Sequence, residues 1–382
     1  MSHPKNLRWN TLAILALASA AFAAGMARTA NALDQIIKPF QSVRSSGMGG
    51  LKLTTGLYED NFFGNPARVV ANPTWKVTFF DPTVETSRST ITNVGDIASS
   101  NGGNTFSDIG GTAGSNNHGR IQLSMLSFYI PKGGRRWALA ASPLLTSIQF
   151  DVMLRNSYQI SPIAIADVGP ALTYGRTFFE DQRLAVGVTP HITGRVATNS
   201  NFTLSDLISG KSLSPSETGG AGAHFDLDIG TTYKLPLKAK DFDFETAFAV
   251  NNVLGGEYSN LKAVKLGSST RLPPAQPRTF GVGIAARREE WGRFHDTAFG
   301  FEVQDIGNNP NGSLFRLLHL GGETNWRRLA LRAGLNQGYW AAGLGFDLWI
   351  LDIDVASYGE EMSLNTGGME DRRYAFKLSL QI

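Results

Sequence analysis

The last ten residues, Arg373 to Ile382, read RYAFKLSLQI. Tyr374, Phe376, Leu378, Leu380 and Ile382 are apolar, and Arg373, Ala375, Lys377, Ser379 and Gln381 between them are nearly all polar. A period of two over this length is a β-strand with one greasy face and one wet face. The alternation recurs from Trp75 onward. Phe225, Leu227, Ile229 and Tyr233 alternate with Asp226, Asp228, Gly230 and Lys234, and Phe242, Phe244 and Phe248 with Asp243, Glu245 and Ala249. Fourteen such segments can be placed, near 75–86, 119–130, 135–145, 164–177, 183–196, 222–235, 242–253, 277–289, 295–305, 314–325, 328–336, 338–347, 349–358 and 373–382. Counts of twelve or sixteen stay open at this level.

The connections carry separate information. After odd-numbered segments they are mostly long: about 87–118, 146–163, 197–221, 254–276 and 359–372. After even-numbered ones they are short, as at Pro131 to Gly134, Glu180-Asp181, Pro236 to Asp241 and Asn325-Trp326-Arg327. This asymmetry belongs to an all-β, transmembrane antiparallel β-barrel with tight turns on one side and long loops on the other. Asn336-Gln337-Gly338 is a tight turn on the long side. Trp75, Trp291, Trp326 and Trp349 fall near strand ends, where interfacial girdle residues belong. Residues 95–119, rich in Ser, Gly and Asn, read as a mobile outer loop.

Residues 33–74 break the pattern. RSSGMGGLKLTTG (Arg44 to Gly56) reads as a short strand or an irregular loop. YEDNFFGNPARVVANP (Tyr58 to Pro73) carries a turn at Gly64-Asn65-Pro66, with Pro66 placed to start a helical turn. The segment is too polar and broken to face lipid, so it is expected as a periplasmic arm or a plug inside the barrel. The chain thus divides into a signal peptide (1–32), an N-terminal plug or arm (33–74) and a barrel (75–382).

The signal reading rests on Lys5 and Arg8, the apolar run Thr11 to Met26, and the small-residue sites Ala30-Asn31-Ala32 or Ala21-Phe22-Ala23. A retained anchor is the alternative. Cleavage near Ala32 removes Lys5, Arg8 and Arg28 and no acids, leaving 32 basic residues (35 less those three) against 32 acidic ones. The sequence pI near 9.0 therefore belongs mostly to the signal, and no nucleic-acid partner is expected. With no cysteine in 382 residues, disulfides, thiolate metal sites and a cysteine nucleophile are excluded. No later stretch offers eighteen apolar residues free of charge, Pro and Gly, so a membrane crossing is made by strands. That places the mature protein in the outer membrane of a diderm bacterium, with outer-membrane lipid and the barrel-assembly machinery as partners.

If the apolar faces meet lipid, Asp226, Asp228, Asp243, Glu245, Arg287, Glu302, Glu323, Arg328, Arg332, Asp347, Asp352, Asp354, Arg373 and Lys377 face the lumen. Strand neighbours then set Glu323 beside Arg328 or Arg332, and Asp352 and Asp354 beside Arg373 and Lys377. These charges are either ion pairs that hold and wet the lumen or parts of a permeation path. His118, His191, His224, His295 and His319 lie in no Gly-x-Ser-x-Gly setting and at no metal-ligand spacing, although His191 and His224 suit inward positions. No enzyme activity, cofactor or metal is expected.

Three stretches resemble the FadL-like superfamily of outer-membrane barrels, which includes long-chain fatty-acid transporters and TraF-like and PorV-like relatives. They are SGMGG (Ser46 to Gly50) followed by NFFGNPA (Asn61 to Ala67); HLGGETNWRRLALRAGLNQGYWAAGLGFDL (His319 to Leu348); and DIDVASYGEEM (Asp352 to Met362) with DRRYAFKLSLQI. The resemblance implies a fourteen-stranded barrel with an N-terminal plug, in which Asn65, Pro66 and Ala67 belong to the plug and its anchoring. Phe62 and Phe63 are the plug's apolar candidates for contact with a ligand. The chain ends in Ile382, where many such barrels end in Phe or Trp. The expected function is to bind or pass small hydrophobic molecules across the outer membrane. Alternatives are a non-transporting scaffold or shuttle partner in a secretion or conjugation apparatus, and a soluble periplasmic β-protein whose faces pack on each other.

Overall fold

A computed structural model describes residues 38–99, 116–155, 159–199, 219–259, 272–309 and 312–382. Residues 1–32, expected as a signal peptide, and most of the Ser/Gly/Asn-rich stretch 95–119 lie outside the described residues. The strands are β1 (Lys76–Ser87), β2 (Asn116–Ile130), β3 (Trp137–Arg155), β4 (Gln159–Phe178), β5 (Leu184–Asn199), β6 (Gly219–Ala239), β7 (Phe242–Asn251), β8 (Thr279–Trp291), β9 (Phe294–Ile306), β10 (Leu318–Trp326), β11 (Leu329–Asn336), β12 (Tyr339–Asp347), β13 (Leu351–Glu361) and β14 (Glu370–Gln381). Each runs antiparallel to its sequence neighbours, and β1 pairs with β14 to close the barrel. Beyond β14, Ile382 exchanges two backbone hydrogen bonds with Val77 at 2.8 and 3.0 Å.

The period-two pattern sets the two faces of this wall. In β14, Arg373, Ala375, Lys377 and Ser379 are buried inside, while Tyr374, Phe376 and Leu380 are exposed outside. Phe299, Phe301, Leu320, Leu344 and Phe346 continue the outward apolar face on β9 to β12. Such a belt is the surface that bilayer hydrocarbon covers. The tryptophans edge it: Trp75, Trp137, Trp291, Trp326 and Trp349 all sit at the short-turn end, and Trp340 begins β12 at the other.

The wall is uneven in height. β10, β11 and β12 have 9, 8 and 9 residues, close to the roughly 9–11 that a tilted strand needs to cross a membrane. β3, β4 and β6 have 19, 20 and 21. That side of the wall continues past the bilayer at the long-loop end. The expected long connection at 146–163 is therefore mostly strand, since β3 and β4 pair up to Arg155 with Gln159. A further departure is the helix Arg88–Ser99 at the start of the first long connection.

Residues 38–74 lie within the lumen. The stretch expected to be a short strand or an irregular loop opens instead with the helix Val43–Gly47, capped by Ser42, whose hydroxyl accepts from the Ser45 N–H at 3.0 Å. A second short helix spans Asp60–Phe63. Pro66 does start a helical turn, the 3₁₀ helix Pro66–Ala71, with the Asn65 side chain accepting from the Ala67 N–H at 3.0 Å. Wall glycines admit this backbone at close range. A Cβ on Gly187 would stand 2.3 Å from the carbonyl carbon of Pro66, and one on Gly230 would stand 1.9 Å from Asn65 Oδ1.

Gly187→Leu and Gly230→Leu are accordingly expected to push the inner segment off its seat, at the roughly 1–3 kcal/mol typical of overpacking. Limited proteolysis checks this. Residues 38–74 should resist cleavage in the wild type and be cut in the variants, while the unboiled variants still migrate fast on a gel. Equal resistance would mean that the glycines are not seats.

Candidate ligand site in the barrel lumen

The inner segment is held by the inward charges of the wall. The Glu302 carboxylate accepts the backbone N–H groups of Lys52, Leu53 and Thr54 at 3.0, 3.1 and 2.8 Å, and the Thr54 hydroxyl at 2.6 Å. Arg44 donates through Nη2 and Nε to Glu323 at 2.8 and 3.1 Å. Arg68 donates to Glu245 at 2.8 Å. Asn65 donates to the carbonyls of Leu53 and Thr231 at 3.0 and 3.1 Å, tying the segment both to itself and to β6. Glu59 meets the Lys377 ammonium at 2.5 Å.

These contacts set the charge states inside. Burial alone would raise the Glu59 carboxyl, but Lys377 and Lys76 bring it down to about 2. Its neighbour Asp60 is pushed up to about 6 by burial and by Glu59, against the pull of Arg44. Burial lowers the Lys52 ammonium below its ordinary value, although Asp305 opposes the shift.

Two interior cavities flank the segment. One, of about 100 Å³, lies among β4 to β9 and is lined by Leu53, His191, Arg195, His224, Tyr258 and Phe280. The other, of about 50 Å³, lies toward β1, β2 and β14 beside Asp81, Gln122, Leu145 and Lys377. Phe40, Lys52 and Phe63 line both. Phe40 and Phe63 stack with ring centroids 4.2 Å apart and planes 5° from parallel. Phe62 packs beneath them with Val69, Tyr129, Ala138 and Leu145. On the outer surface, a recess of about 430 Å³ is lined by Pro143, Pro170 and Pro190 of three adjacent strands, and by His191. His191 thus borders both the recess and the larger cavity.

The structure brings most of the sequence-selected residues together. Asn65, Pro66, Ala67 and Phe62 are buried in the lumen, and Phe63 stands at the junction of the cavities. Asp226, Asp228, Glu245, Glu302, Glu323, Arg332, Asp354, Arg373 and Lys377 are buried on inward positions. Glu323 pairs with Arg332, whose guanidinium also reaches Asp354. Asp352 bonds Lys76 at 3.2 Å instead of Arg373 or Lys377. Arg373 lies further along β14, with Glu360 and Asp371.

Three charges are not in the lumen. Asp243 is exposed beside the β6–β7 turn, where it pairs with Lys238. Arg328 forms part of the β10–β11 turn, and Asp347 caps the next turn by accepting the Trp349 N–H at 2.9 Å. Alternation continues through these positions, but the barrel interior has ended. The residues that sequence reasoning missed, Phe40, Arg44, Lys52, Glu59 and Tyr258, come from the inner segment and a loop. Neither has a periodicity to reveal a face.

The fold is the closed fourteen-stranded antiparallel barrel expected from the sequence, with residues of its N-terminal segment packed against the inner wall. No protein-family model matches the chain, and no curated protein matches its sequence. Among solved structures it is similar to the Ralstonia pickettii toluene transporter TbuX, at 10% identity over 91% of this chain and 98% of that one, with a TM-score of 0.47. It is similar to the Pseudomonas putida toluene transporter TodX at 12% identity over 91% and 98%, with a TM-score of 0.48. A Pseudomonas aeruginosa FadL homologue gives 9% identity over 91% and 99%, with a TM-score of 0.36.

The Glu59 anchor predicts a pH dependence. Glu59 stays ionised in the folded barrel down to about 2, against 4.5 ordinarily, so its stabilisation is present above pH 4.5 and is lost as pH falls toward 2. Asp60 acts oppositely: its folded value of about 6 exceeds 3.8, so its contribution is full below pH 3.8 and is lost as pH rises through 6. Comparing wild type with Glu59→Gln isolates the first effect. The wild type's higher unfolding midpoint, read from gel mobility, should persist at pH 7 and shrink to nothing near pH 2. A difference independent of pH would contradict the anchor.

Proposed function

We propose that the chain is an outer-membrane barrel that binds small hydrophobic molecules in its lumen and passes them across the outer membrane. The observation that carries this reading is the meeting of two interior cavities at the stacked Phe40–Phe63 pair. A general porin keeps an open, water-filled lumen. Here the inner segment packs against the inner wall, and the space beside it is divided and partly aromatic. It suits single small molecules rather than bulk water and ions.

The three-proline recess supplies the second half of the route. Proline has no N–H to give a strand ladder and is normally kept to edge strands and bulges. β3 carries such an irregularity, its pairing with β4 shifting between Ser142 and Leu145. Between β4 and β5 the pairing passes from Val168–Gly194 to Ala171–His191. The wall is weakest where His191 alone borders both sides, so a molecule leaving the larger cavity crosses there toward the membrane.

The Phe40–Phe63 pair makes a small aromatic the suitable probe, the compound class for which TbuX and TodX are named. Cells of a diderm host expressing the full chain should take up labelled toluene several-fold faster than cells without it. Phe63→Arg, placing a charge at the junction, and His191→Trp, filling the crossing point, should return uptake to background in barrels that still fold. Uptake equal to that of control cells would overturn the reading in favour of a scaffold role.

A further inference from the structure

One corner of the larger cavity holds polar atoms with nothing to bond. His224 is 8% exposed, and neither of its ring nitrogens has a hydrogen-bond partner. His191 Nε2 and the Tyr258 hydroxyl have none either. Asp228 Oδ1 stands 3.6 Å from His191 Nε2, near enough for an ion pair but too far for a hydrogen bond. His224 lies edge-on to both neighbours, its centroid 5.9 Å from His191 and 4.4 Å from Tyr258. Buried polar groups are nearly always partnered. Four atoms without a hydrogen bond on three neighbouring side chains, all lining one cavity, mark a place that receives a ligand's polar group.

Most of the charged groups around this corner are already committed. Arg195 gives Nε and Nη2 to Asp167 at 2.7 and 2.8 Å, and Nη1 to the Pro274 carbonyl at 3.1 Å. Asp226 accepts the backbone N–H groups of Leu254 and Gly256, both at 2.9 Å, and Asp228 accepts that of Asn252 at 2.7 Å. Lys38 pairs with Asp305 at 3.3 Å. An incoming carboxylate would find two aspartates against it at the corner, and the cation it could meet in this cavity is Lys52 of the inner segment. Among the described residues, no three metal-ligating side chains converge.

What remains is two imidazoles and a phenol hydroxyl, each able to donate or accept according to tautomer or rotation. That set complements a neutral hydroxyl group, which does both. The rest of the same cavity supplies Phe40, Phe63, Phe280 and Leu53. We propose that the His191–His224–Tyr258 corner binds the hydroxyl of a small hydroxylated aromatic molecule, a phenol, whose ring occupies the apolar part of the cavity. The proposal rests on the reading of the lumen as a site for small hydrophobic molecules and names the class it prefers.

p-Cresol and toluene differ by one hydroxyl, and benzoate adds a charge. Equilibrium dialysis of the three labelled compounds against the full-length protein held in amphipol, corrected for an amphipol blank, separates the cases. p-Cresol should bind about tenfold more tightly than toluene, the worth of one good hydrogen bond, and benzoate should bind more weakly than either. His224→Phe and Tyr258→Phe should bring p-cresol down to the toluene value while leaving toluene within about twofold, in protein that keeps its fast unboiled mobility. Equal binding of p-cresol and toluene by the wild type overturns the hydroxyl site but leaves the hydrophobic-ligand reading standing. So does a preference that survives both substitutions, or benzoate binding most tightly. Failure of all three compounds to bind overturns both.

Discussion

A carboxylate buried in a barrel lumen must be paired or hydrogen-bonded, and Glu302 meets that demand with the backbone of the inner segment. Fully buried on β9, it accepts from three consecutive N–H groups, Lys52 to Thr54, and from the Thr54 hydroxyl. Removing one partner of a buried charge generally costs several kcal/mol, because the other is left stranded. The constraint runs both ways. The segment has too little regular structure to satisfy its own backbone, and the wall has too many charges to satisfy one another. Arg44 with Glu323, Arg68 with Glu245 and Glu59 with Lys377 repeat the arrangement around the lumen.

The functional geometry follows from where these pairs are not. Charge pairs hold the segment to β7, β10 and β14 and hydrogen bonds hold it to β6 and β9, and the glycines of β5 and β6 let Asn65 and Pro66 approach. Space is left on either side of Phe40 and Phe63, where apolar surface replaces charge. The tall strands β3 to β6 carry the larger cavity's polar corner on their inner face and the three-proline recess on their outer face. One part of the wall therefore holds both the proposed binding corner and a place where the ladder is thin.

Much of the barrel was legible because its rule is short. A two-residue period identifies a strand and the face of each residue, so all fourteen strands and inward positions such as Glu302, Arg332 and Lys377 could be read from the chain. The same rule misplaced Asp243, Arg328 and Asp347, since alternation runs on into turns that stand outside the lumen. It also cut β3 short. The inward set there changes from Ala138, Ala140 and Ser142 to Leu145, Ser147 and Gln149, and Pro143 at the change reads as loop. The site was less legible. Glu302 and Thr54 are 248 positions apart, and periodicity says which way a side chain points but not what fills the space ahead of it. Asn65-Pro66-Ala67 was readable because capping chemistry is local; Phe40 and Tyr258 carry no local signal at all.

Amide hydrogen exchange of Lys52, Leu53 and Thr54, in protein held in lipid nanodiscs, tests the central claim most directly. If the Glu302 carboxylate holds the inner segment in the lumen, these three amides exchange as slowly as those of the surrounding strands, and Glu302→Gln releases them while β8 to β10 stay protected. Exchange of residues 52–54 at the rate of an open chain in the wild type would contradict the account, because the segment would then lie outside the lumen and the cavities built against it would not exist.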